Sequence, residues 1–414
     1  MTDKGSICVA GGGPSGMMAA ITAARMGAKV ILLEKKRRLG IKLAITGKGR
    51  CNFTNAAGIE AFIDQIPQNG RFLYSALNAM NPESLIQFFE DLGVYAKVER
   101  GGRVFPASDS AQEVRDALLA ELNRLQVDVR TGWKVVSVET DREGFFRVKA
   151  KNRPAIKCSK VVIATGGITY PQTGSTGDGY DLLETLGHRI VTPRPSLVPL
   201  RSEESWVHGL KGLSLRNVAA ELLADGNTVQ RQFGEMLFTD SGLSGPIILT
   251  LSRRAVTLLD EGREVAVRID LKPALDRRTL DVRLTRDFSD MPCKSLKNAL
   301  ECVLPRRLIP VIINRAGVDP NKRCSEIKRE ERHRLAESLK ALPVRITGYA
   351  SPAEAIVTQG GVNLRDVNPS TMESKLVKGL YVCGELLDVD GYTGGFNLHI
   401  AFATGFLAGR SAAD

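Results

Sequence analysis

Three glycines near the start of the chain have the spacing of a diphosphate-binding loop. The segment "AGGGPSG" at residues 10–16 contains Gly11, Gly13 and Gly16 in a Gly-x-Gly-x-x-Gly pattern. Such glycines allow a tight turn, close approach of the backbone to a diphosphate, and close contact between helix and strand. The helix that follows directs free amide groups and the positive end of its dipole towards the bound anion.

An acidic residue follows at the distance expected for ribose binding. Glu34 lies 18 residues after Gly16, at the end of the next apolar stretch. Its carboxylate can accept hydrogen bonds from both hydroxyl groups of an adenosine ribose. Because Glu34 would repel a 2′-phosphate, these residues predict bound FAD or NAD rather than NADP.

A second glycine-rich stretch distinguishes FAD from NAD. The segment "LGIKLAITGKGRCNFTN" at residues 39–55 stands where a simple NAD-dependent dehydrogenase has another helix and strand. Its backbone donors are suited to lie alongside an extended cofactor, which favours FAD; the alternative is a polar surface turn. This stretch includes a loop with Gly47, Gly49, Arg50, Cys51, Asn52 and Asn55.

The last tenth of the chain is also rich in glycine. It contains "GELLDVDGYTGGFNLHIAFATG" at residues 384–405. A flavin ring develops negative charge when it accepts a hydride, and a helix amino end can stabilise that charge by roughly 0.3–1 kcal/mol when exposed. Gly394 and Gly395 permit close backbone approach, and a helix predicted from Asn397 would aim its amide groups at the ring.

Other candidates for chemistry have competing structural interpretations. A buried packing role is favoured for Cys51 over contact with a flavin. His399 lies in an apolar helical run, so both a hydrogen-bonded core histidine and a proton donor stay open. Tyr392 and Arg50 are candidates for holding a substrate. The general acid and base are left unassigned.

The first 35 residues predict the elements that position these groups. A strand over residues 7–10, a helix over 15–26 and a strand over 29–33 form a βαβ unit. Helices are predicted near 59–65, 82–92 and 111–125, followed by antiparallel strands with a charged turn at 141–144 and a buried strand over 160–167.

The composition of the sequence changes at "TPRPSLVPL", residues 192–200, where three prolines predict a domain boundary. Residues 197–270 are interpreted as short strands of a small antiparallel barrel or sandwich, and 274–341 as helices. A strand near 379–385 and a helix over 397–411 complete the first domain. The predicted domains are 1–192 with 347–414, an inserted barrel-like domain at 193–273 with 342–346 as a further part, and a helical subdomain at 274–341.

Composition excludes several classes of protein. The apolar runs of this 414-residue chain are too short to span a bilayer, and no secretory signal precedes the first strand. The seven cysteines are scattered and lack the spacing of zinc ligands, so no metal site is predicted. Free thiols favour a reducing cytoplasm.

Charge is the one unusual feature of the composition. The chain has a net charge of +11, and residues 271–345 contain 18 Lys/Arg against 10 Asp/Glu. Such a segment is typical of a surface that binds an anionic substrate, a phosphate or RNA. The alternative, favoured because acids and bases alternate in "EIKREERHRLAESLK", is a solvated helical surface.

These motifs together resemble a known family. The segments are "GGGPSGMMAAITAARMGAKVILLEK", "TGKGRCNFTN", "TGSTGDGYDLLETLGH", "LFTDSGLSGPIILTLS" and "GLYVCGELLDVDGYTGGFNLHIAFATGFLAG". They resemble the BaiN-like family of bacterial NAD(P)/FAD-dependent oxidoreductases, the aminoacetone-oxidase type. This resemblance implies an α/β fold: a Rossmann-like FAD-binding domain of glutathione-reductase type, interrupted by a small β-barrel and a helical subdomain.

The resemblance also assigns roles to residues. The diphosphate would lie on Gly11–Gly16, the adenosine ribose on Glu34, the adenine edge near Val135 and the ribityl chain at Glu385, where many relatives have Asp. Candidate cofactor-binding residues are Gly11, Gly13, Pro14, Ser15, Gly16, Glu34, Lys35, Lys42, Gly49, Arg50, Cys51, Val135, Ala164, Thr165, Gly166, Gly384, Glu385, Gly395, Phe396 and Asn397.

The sequence leads to one leading functional hypothesis and two alternatives. The chain lacks a second Gly-x-Gly-x-x-Gly after a central strand and a C-x4-C pair, which argues against a disulfide reductase. The leading hypothesis is an FAD-dependent oxidoreductase that transfers a hydride between flavin and a small organic substrate, with NAD(P)H as transient reductant. The alternatives are a flavoprotein acting on RNA or RNA-bound bases, for which a nucleic-acid partner is disfavoured but left open, and a non-catalytic FAD-binding protein. The sequence indicates neither the substrate nor the oligomeric state.

Overall fold

The computed structural model describes residues 5–414 of the chain. Its strands are β1 (Ser6–Ala10), β2 (Lys29–Glu34), β3 (Thr54–Asn55), β4 (Ala96–Glu99), β5 (Arg103–Pro106), β6 (Asp128–Thr131), β7 (Val135–Thr140), β8 (Phe146–Ala150), β9 (Ile156–Cys158), β10 (Lys160–Ile163), β11 (Ile190–Ser196), β12 (Leu200–Arg201), β13 (Ser214–Ala224), β14 (Asn227–Phe238), β15 (Gly242–Ser244), β16 (Val265–Asp270), β17 (Leu342–Ile346), β18 (Gly348–Tyr349), β19 (Val357–Val362) and β20 (Leu380–Val382).

Its α-helices are α1 (Pro14–Arg25), α2 (Ile41–Ile45), α3 (Ile59–Ile63), α4 (Tyr74–Ala79), α5 (Pro82–Asp91), α6 (Ala111–Arg124), α7 (Asp178–Thr185), α8 (Ser205–Gly209), α9 (Pro246–Asp260), α10 (Arg277–Ser289), α11 (Leu296–Ala299), α12 (Ile309–Ala316), α13 (Arg329–Lys340) and α14 (Phe396–Ala413). Short 3-10 helices cover Thr46–Gly49, Gly70–Leu73, Pro171–Thr173, Leu300–Cys302, Arg306–Leu308, Cys324–Glu326, Leu364–Asp366 and Gly384–Leu386.

The chain divides into two compact units. Unit 1 comprises the described residues up to Pro195 together with Pro352–Asp414, and unit 2 comprises Ser196–Ser351. Unit 1 therefore contains both glycine-rich ends of the chain. The domain boundaries inferred from the sequence stay a prediction.

The centre of unit 1 is a five-stranded parallel sheet in the order β20-β10-β1-β2-β6. In its register, Val9 lies opposite Leu32 on one side and Val162 on the other. All five residues of β1 are buried, as expected for a central parallel strand covered on both faces. The predicted α/β fold class, built on a βαβ unit at the start of the chain, is confirmed.

Helices α1 and α14 are in close contact through small residues. A Cβ atom at Gly405 would lie 2.3 Å from the carbonyl oxygen of Ser15, and one at Gly409 would lie 2.3 Å from that of Ala19. Residues four apart lie on one face of a helix, so these two glycines form a seam along α1. This contact joins the carboxyl end of the chain to its first helix, and α14 is longer by one or two residues at each end than the sequence predicted.

Two of the smaller sheets of unit 1, β3-β5-β4 and β7-β8-β9, are antiparallel. Strands β7, β8 and β9 form one sheet, and the predicted charged turn between β7 and β8 is present, with Asp141 Oδ1 accepting from the amides of Glu143 and Phe145 at 2.9 Å. The strand predicted over residues 160–167 was too long. It ends at Ile163, and the chain turns because Gly166 has a φ of +77°.

Unit 2 contains a seven-stranded antiparallel sheet in the order β17-β16-β13-β14-β15-β12-β18. Residues 342–346 form β17, which pairs with β16. The prediction of strands alone for 197–270 was wrong in two places: residues 205–209 form the short helix α8, and residues 246–260 form the 15-residue helix α9. Its apolar residues recur at helical spacing, and they are buried at Ile247, Ile248, Leu251, Ala255 and Leu258.

Candidate functional site

The amino end of α1 shows a separate purpose for each glycine of the first motif. Gly11 has a φ of +112°, and a Cβ atom there would lie 2.3 Å from the carbonyl oxygen of Ala164. A Cβ atom at Gly16 would lie 1.9 Å from the carbonyl oxygen of Gly11. At Gly13 a Cβ atom would meet nothing within 4 Å. Two glycines thus permit close contact inside the fold, while the third leaves open space at the helix end.

Glu34 is held in place by backbone amides. Gly12 N donates to Oε2 at 2.8 Å, and Lys36 N donates to Oε1 at 2.7 Å. A carboxylate oxygen has two lone-pair positions, so each oxygen retains one for a further donor. The geometry is therefore compatible with two ribose hydroxyl groups donating to Glu34.

Glu385 has a different environment. Its Oε1 accepts from Thr169 Oγ1, Thr358 N and Thr358 Oγ1, each at 2.9 Å. Its Oε2 accepts from Lys42 Nζ at 2.6 Å, and Lys42 also donates to Thr169 at 2.8 Å. Side-chain and backbone donors from three segments of unit 1 therefore engage this carboxylate.

The amino end of α14 starts from another strained glycine. Gly395 has a φ of +100°, and a Cβ atom there would lie 2.1 Å from the carbonyl oxygen of Thr54. Asn397 fixes the preceding loop, because its Oδ1 accepts from Gly391 N and its Nδ2 donates to Gly391 O, both at 2.7 Å. As at α1, no side chain caps the helix. The first amide groups of both helices are thus free for a ligand.

One cleft in unit 1 connects these features, with about 1,280 Å³ of space that protein atoms leave free. Thr165 Oγ1 is buried without a hydrogen-bond partner in the described part of the chain, as expected where a ligand supplies one. The predicted residues that line the cleft are Gly11, Gly13, Pro14, Ser15, Glu34, Lys35, Lys42, Val135, Ala164, Thr165, Gly166, Glu385 and Asn397.

The remaining predicted residues lie outside the cleft lining. Four of them pack against other parts of unit 1, namely Gly16, Gly384, Gly395 and Phe396. Gly16 contacts Gly11, and the centre of the Phe396 ring lies 4.9 Å from that of Phe62. The cleft lining does not include Gly49, Arg50 and Cys51.

Arg50 is engaged elsewhere in unit 1. Its Nε donates to Asp109 Oδ1 at 2.7 Å, its Nη2 pairs with Glu99, and its guanidinium lies 4.1 Å from the ring centre of Phe105. Cys51 is fully buried, and burial raises the pKa of its thiol to about 12. The structure thus favours the packing interpretation of Cys51, because a protonated, enclosed thiol is a poor nucleophile.

His399 is a hydrogen-bonded core residue. Its Nε2 donates to the carbonyl oxygen of Met80 at 2.9 Å, which leaves Nδ1 to accept from Thr54 Oγ1 at 2.7 Å. Burial lowers the pKa of His399 to about 4, so the ring is neutral near pH 7. Of the two open interpretations, the contacts favour the structural histidine over the proton donor.

Sequence reasoning missed part of the cleft wall. Around the predicted adenine end, Lys35 Nζ donates to Asp178 Oδ2 at 2.7 Å, and Lys134 Nζ lies 3.3 Å from the same oxygen. The glycine-rich "TGSTGDG" segment after β10 was the available signal for this wall. The additional lining residues include Arg38, Ile41, Thr46, Trp133, Lys134, Thr173, Gly174, Ser175, Asp178, Ile356, Val357, Val389 and Leu398.

Residues 5–414 contain neither a helix that could span a membrane nor a side-chain cluster that could hold a metal ion. No helix there has the length and apolar character needed to cross a membrane. Within the same residues, no group of three or more His, Cys, Asp or Glu side chains could hold a metal ion.

The sequence matches proteins of known family over nearly its whole length. The family model described as the HI0933-like protein Rossmann domain matches residues 5–411. The 3-dehydro-bile acid delta(4,6)-reductase of Clostridium scindens is 34% identical over 412 residues, 99% of each chain. The ribosomal RNA dihydrouridine synthase of Escherichia coli is 31% identical over 399 residues, 96% of this chain and 95% of that protein.

Solved structures share the fold. The 3-ketosteroid delta1-dehydrogenase of Sterolibacterium denitrificans, solved with 1,4-androstadiene-3,17-dione, aligns over 100% of both chains with a TM-score of 0.55. Its sequence is 12% identical, so this similarity concerns the fold alone. The match supports a Rossmann-type FAD-binding architecture for unit 1.

Proposed function

The chain belongs to the HI0933-like family of flavoproteins, and from this premise we propose that it is an FAD-dependent reductase of carbon–carbon double bonds conjugated to a carbonyl group. The activities named for the two relatives share this chemistry, since both a delta(4,6)-reductase of a 3-dehydro bile acid and a dihydrouridine synthase add hydrogen to such a bond. The substrate of the leading proposal is a small organic molecule.

The observation that carries the proposal is the single cleft that contains both free helix ends. The lining of this cleft includes Gly13 and Ser15 from the start of α1, Asn397 and Leu398 from the start of α14, and the carboxylates of Glu34 and Glu385. An elongated dinucleotide needs an anion site, a ribose acceptor and a second helix end in one continuous space. The side chains and backbone groups of the cleft match this set.

FAD, when bound, supplies hydride transfer. The amino end of α1 would bind the diphosphate through its free amide groups, and Glu34 would orient the adenosine ribose. The amino end of α14 would contribute positive potential at the opposite end, worth up to about 2 kcal/mol when partly buried. Ile356, Val389 and Leu398 provide apolar surface in the cleft, which would limit access of water.

NAD(P)H is the proposed reductant, docking transiently. The test is anaerobic stopped-flow absorbance of the purified yellow protein mixed with NADH or NADPH, followed by a 3-oxo-4,6-diene steroid. We expect loss of the oxidised flavin band with one nicotinamide and its return on addition of the steroid. Reduced flavin whose oxidised band does not return on addition of the steroid would contradict the leading proposal.

A second candidate function is reduction of uridine in RNA. The observation that favours it is the excess of 18 Lys/Arg over 10 Asp/Glu in residues 271–345, together with the E. coli relative. The same stopped-flow experiment with a uridine-rich oligoribonucleotide in place of the steroid separates the two candidates. Formation of dihydrouridine, measured by mass spectrometry after nuclease digestion, would support the second.

A further inference from the structure

Strand β14 of the seven-stranded sheet in unit 2 presents exposed side chains on one face of the sheet. Along β14, Met236 is buried and a Cβ atom at Gly234 would lie 3.0 Å from Ile247 of α9. Successive strand residues point to opposite faces, so Arg231 and Phe233 lie on the other side. Phe233 is 64% exposed and the Arg231 side chain 58%. An aromatic ring and a guanidinium therefore stand two residues apart on an open sheet face.

These two residues lie in a groove formed by two adjoining depressions that share Arg231. The first places Phe233 beside Ala219, its cross-strand partner on β13. Its lining residues are Ala219, Arg231, Gln232, Phe233, Pro273 and Ala274. The second is polar and is lined by Glu221, Arg231, Arg268, Asp270, Asp276, Arg277, Lys340 and Ala341.

The carboxylates of the groove are already engaged. Glu221 Oε2 accepts from Arg268 Nε at 2.9 Å, and Asp270 Oδ2 pairs with Lys340 Nζ at 2.6 Å. Asp276 caps α10 by accepting from Thr279 N at 2.7 Å. These internal contacts reduce the repulsion that an anionic ligand would meet.

Two arginines at the groove keep exposed surface. Arg231 is 3.8 Å from Glu221, a long ion pair, and the Arg277 side chain is 64% exposed although its Nε donates to Glu337. Across residues 196–351 there are 26 Lys/Arg against 20 Asp/Glu. The groove thus combines an apolar stacking surface, exposed guanidinium groups and a positively charged surrounding.

We propose that this groove binds a single-stranded or looped segment of RNA, with one base stacked on Phe233 and neighbouring phosphates at Arg231 and Arg277. Proteins recognise unpaired RNA by stacking bases on aromatic side chains, and arginines contact the phosphates. The net positive charge of unit 2 favours RNA over a neutral protein surface as the occupant of this groove. The inference rests on the second candidate function and assigns a docking surface to its substrate.

The test is fluorescence anisotropy of the full-length, FAD-loaded protein with a labelled 12-nucleotide uridine-rich RNA at several salt concentrations. Removal of a stacked base contact costs about 1–3 kcal/mol, so F233A should weaken binding between about fivefold and 150-fold. F233W should retain binding. Y95A removes a side chain that is 68% exposed in unit 1 and should leave the affinity unchanged.

Charge reversal tests the phosphate contacts. R231E/R277E should lower the slope of log affinity against log salt by about 1.4, since each phosphate contact to a single strand contributes about 0.7. The charge-matched control R142E/R365E, at exposed positions of unit 1, should alter the slope less.

Three outcomes would overturn the inference: no RNA binding by the parent protein at low salt, equal affinity of F233A and Y95A variants, or a change of mass by sedimentation in F233A without a change in RNA affinity. The last would identify the groove as a contact between two copies of the chain. Formation of dihydrouridine in the same oligoribonucleotide is measured on the same samples. Its absence with the parent protein would count against the second candidate function, whereas formation of dihydrouridine that F233A leaves unchanged would count against the groove alone.

Discussion

The two carboxylates of the cleft stand near similar helix starts and differ in how they are held. Helices α1 and α14 both begin after glycine and both lack a side-chain cap. Within residues 5–414, Glu34, near α1, accepts from two backbone amides, whereas Glu385, near α14, accepts from three donors on one oxygen and from Lys42 on the other.

Because of this difference, Glu34 is available as a hydrogen-bond acceptor for a ligand, whereas Glu385 mainly holds neighbouring groups in place. Within residues 5–414, Glu34 keeps free lone pairs and has no cationic partner, so a ligand can bind it without breaking a contact. Glu385 and Lys42 neutralise each other, and Oε1 of Glu385 already accepts from three donors, so only Oε2 keeps a position for a ligand. We therefore infer that Glu34 contributes directly to cofactor affinity and that Glu385 contributes mainly by fixing Lys42 and the loops around it. The following predictions test this contrast.

The largest expected effect comes from the seam that holds the two ends together. G405A places a methyl group 2.3 Å from the backbone oxygen of Ser15 and should lower the free energy of unfolding by about 4 kcal/mol, above the usual 1–3 for overpacking because backbone cannot yield easily. Urea unfolding and flavin content measure it. G209A, at a helical glycine with nothing within 4 Å, should be neutral or stabilising. Similar stability of both variants would show that the seam is not tightly packed.

Acidic pH should lower the free energy of unfolding through His399 of α14. The pKa of His399 is lowered to about 4 by burial, against about 6.5 in the unfolded chain. The unfolded state binds the proton first as pH falls, so the stabilisation present above pH 6.5 is lost between pH 6.5 and 4, by about 3 kcal/mol. Urea unfolding at a series of pH values should show a smaller loss in H399Q than in the parent protein. Parallel curves for the two proteins would mean that His399 does not titrate in this window.

Glu34 should govern cofactor affinity. E34Q removes a charge that accepts two backbone hydrogen bonds, and charge-assisted hydrogen bonds are worth about 1.5–3 kcal/mol. We expect FAD affinity to fall tenfold or more, measured by titration of the apoprotein with FAD and flavin fluorescence. The control E184Q changes an exposed glutamate of α7 and should bind FAD normally. Unchanged affinity in E34Q would remove the distinction drawn between the two carboxylates.

The smallest effect is the coupling between Lys42 and Glu385. Their side chains are 19% and 18% exposed, so solvent partly screens the pair, and a double-mutant cycle of K42M and E385Q should give a coupling free energy of about 1 kcal/mol. Urea unfolding measures it, with FAD affinity as a second readout. Strictly additive losses would show that the two groups act independently.

Local patterns accounted for the elements that follow one another along the chain. The glycine spacing at residues 11–16 and the apolar run before Glu34 predicted β1, α1 and β2, because these elements are determined by turn chemistry and side-chain period within one segment. Helix α9 was missed, although its apolar residues recur every three to four positions, because the flanking segments alternate as strands. The strand at residues 160–167 was extended too far because its apolar pattern continues up to the glycines that end it.

Side-chain partners from distant segments could not be read from the sequence. Arg50 and Cys51 stand next to each other in a segment predicted to meet the cofactor, yet Arg50 pairs with Glu99 and Asp109 on other elements, and Cys51 is buried. Likewise, the exposure of Phe233 depends on which face of its sheet α9 covers. Such outcomes depend on contacts between residues far apart in sequence.

The sequence by itself determined the family, the Rossmann-type fold of unit 1 and the presence of two free helix ends, since these depend on glycine positions and local periodicity. Only the tertiary structure decided that Glu34 stays available while Glu385 is engaged, that His399 is a neutral core residue, and that the two helix ends share one cleft. The physical reason is that burial and hydrogen-bond partners come from packing: α14, the last helix, lies against α1, the first, through Gly405 and Gly409.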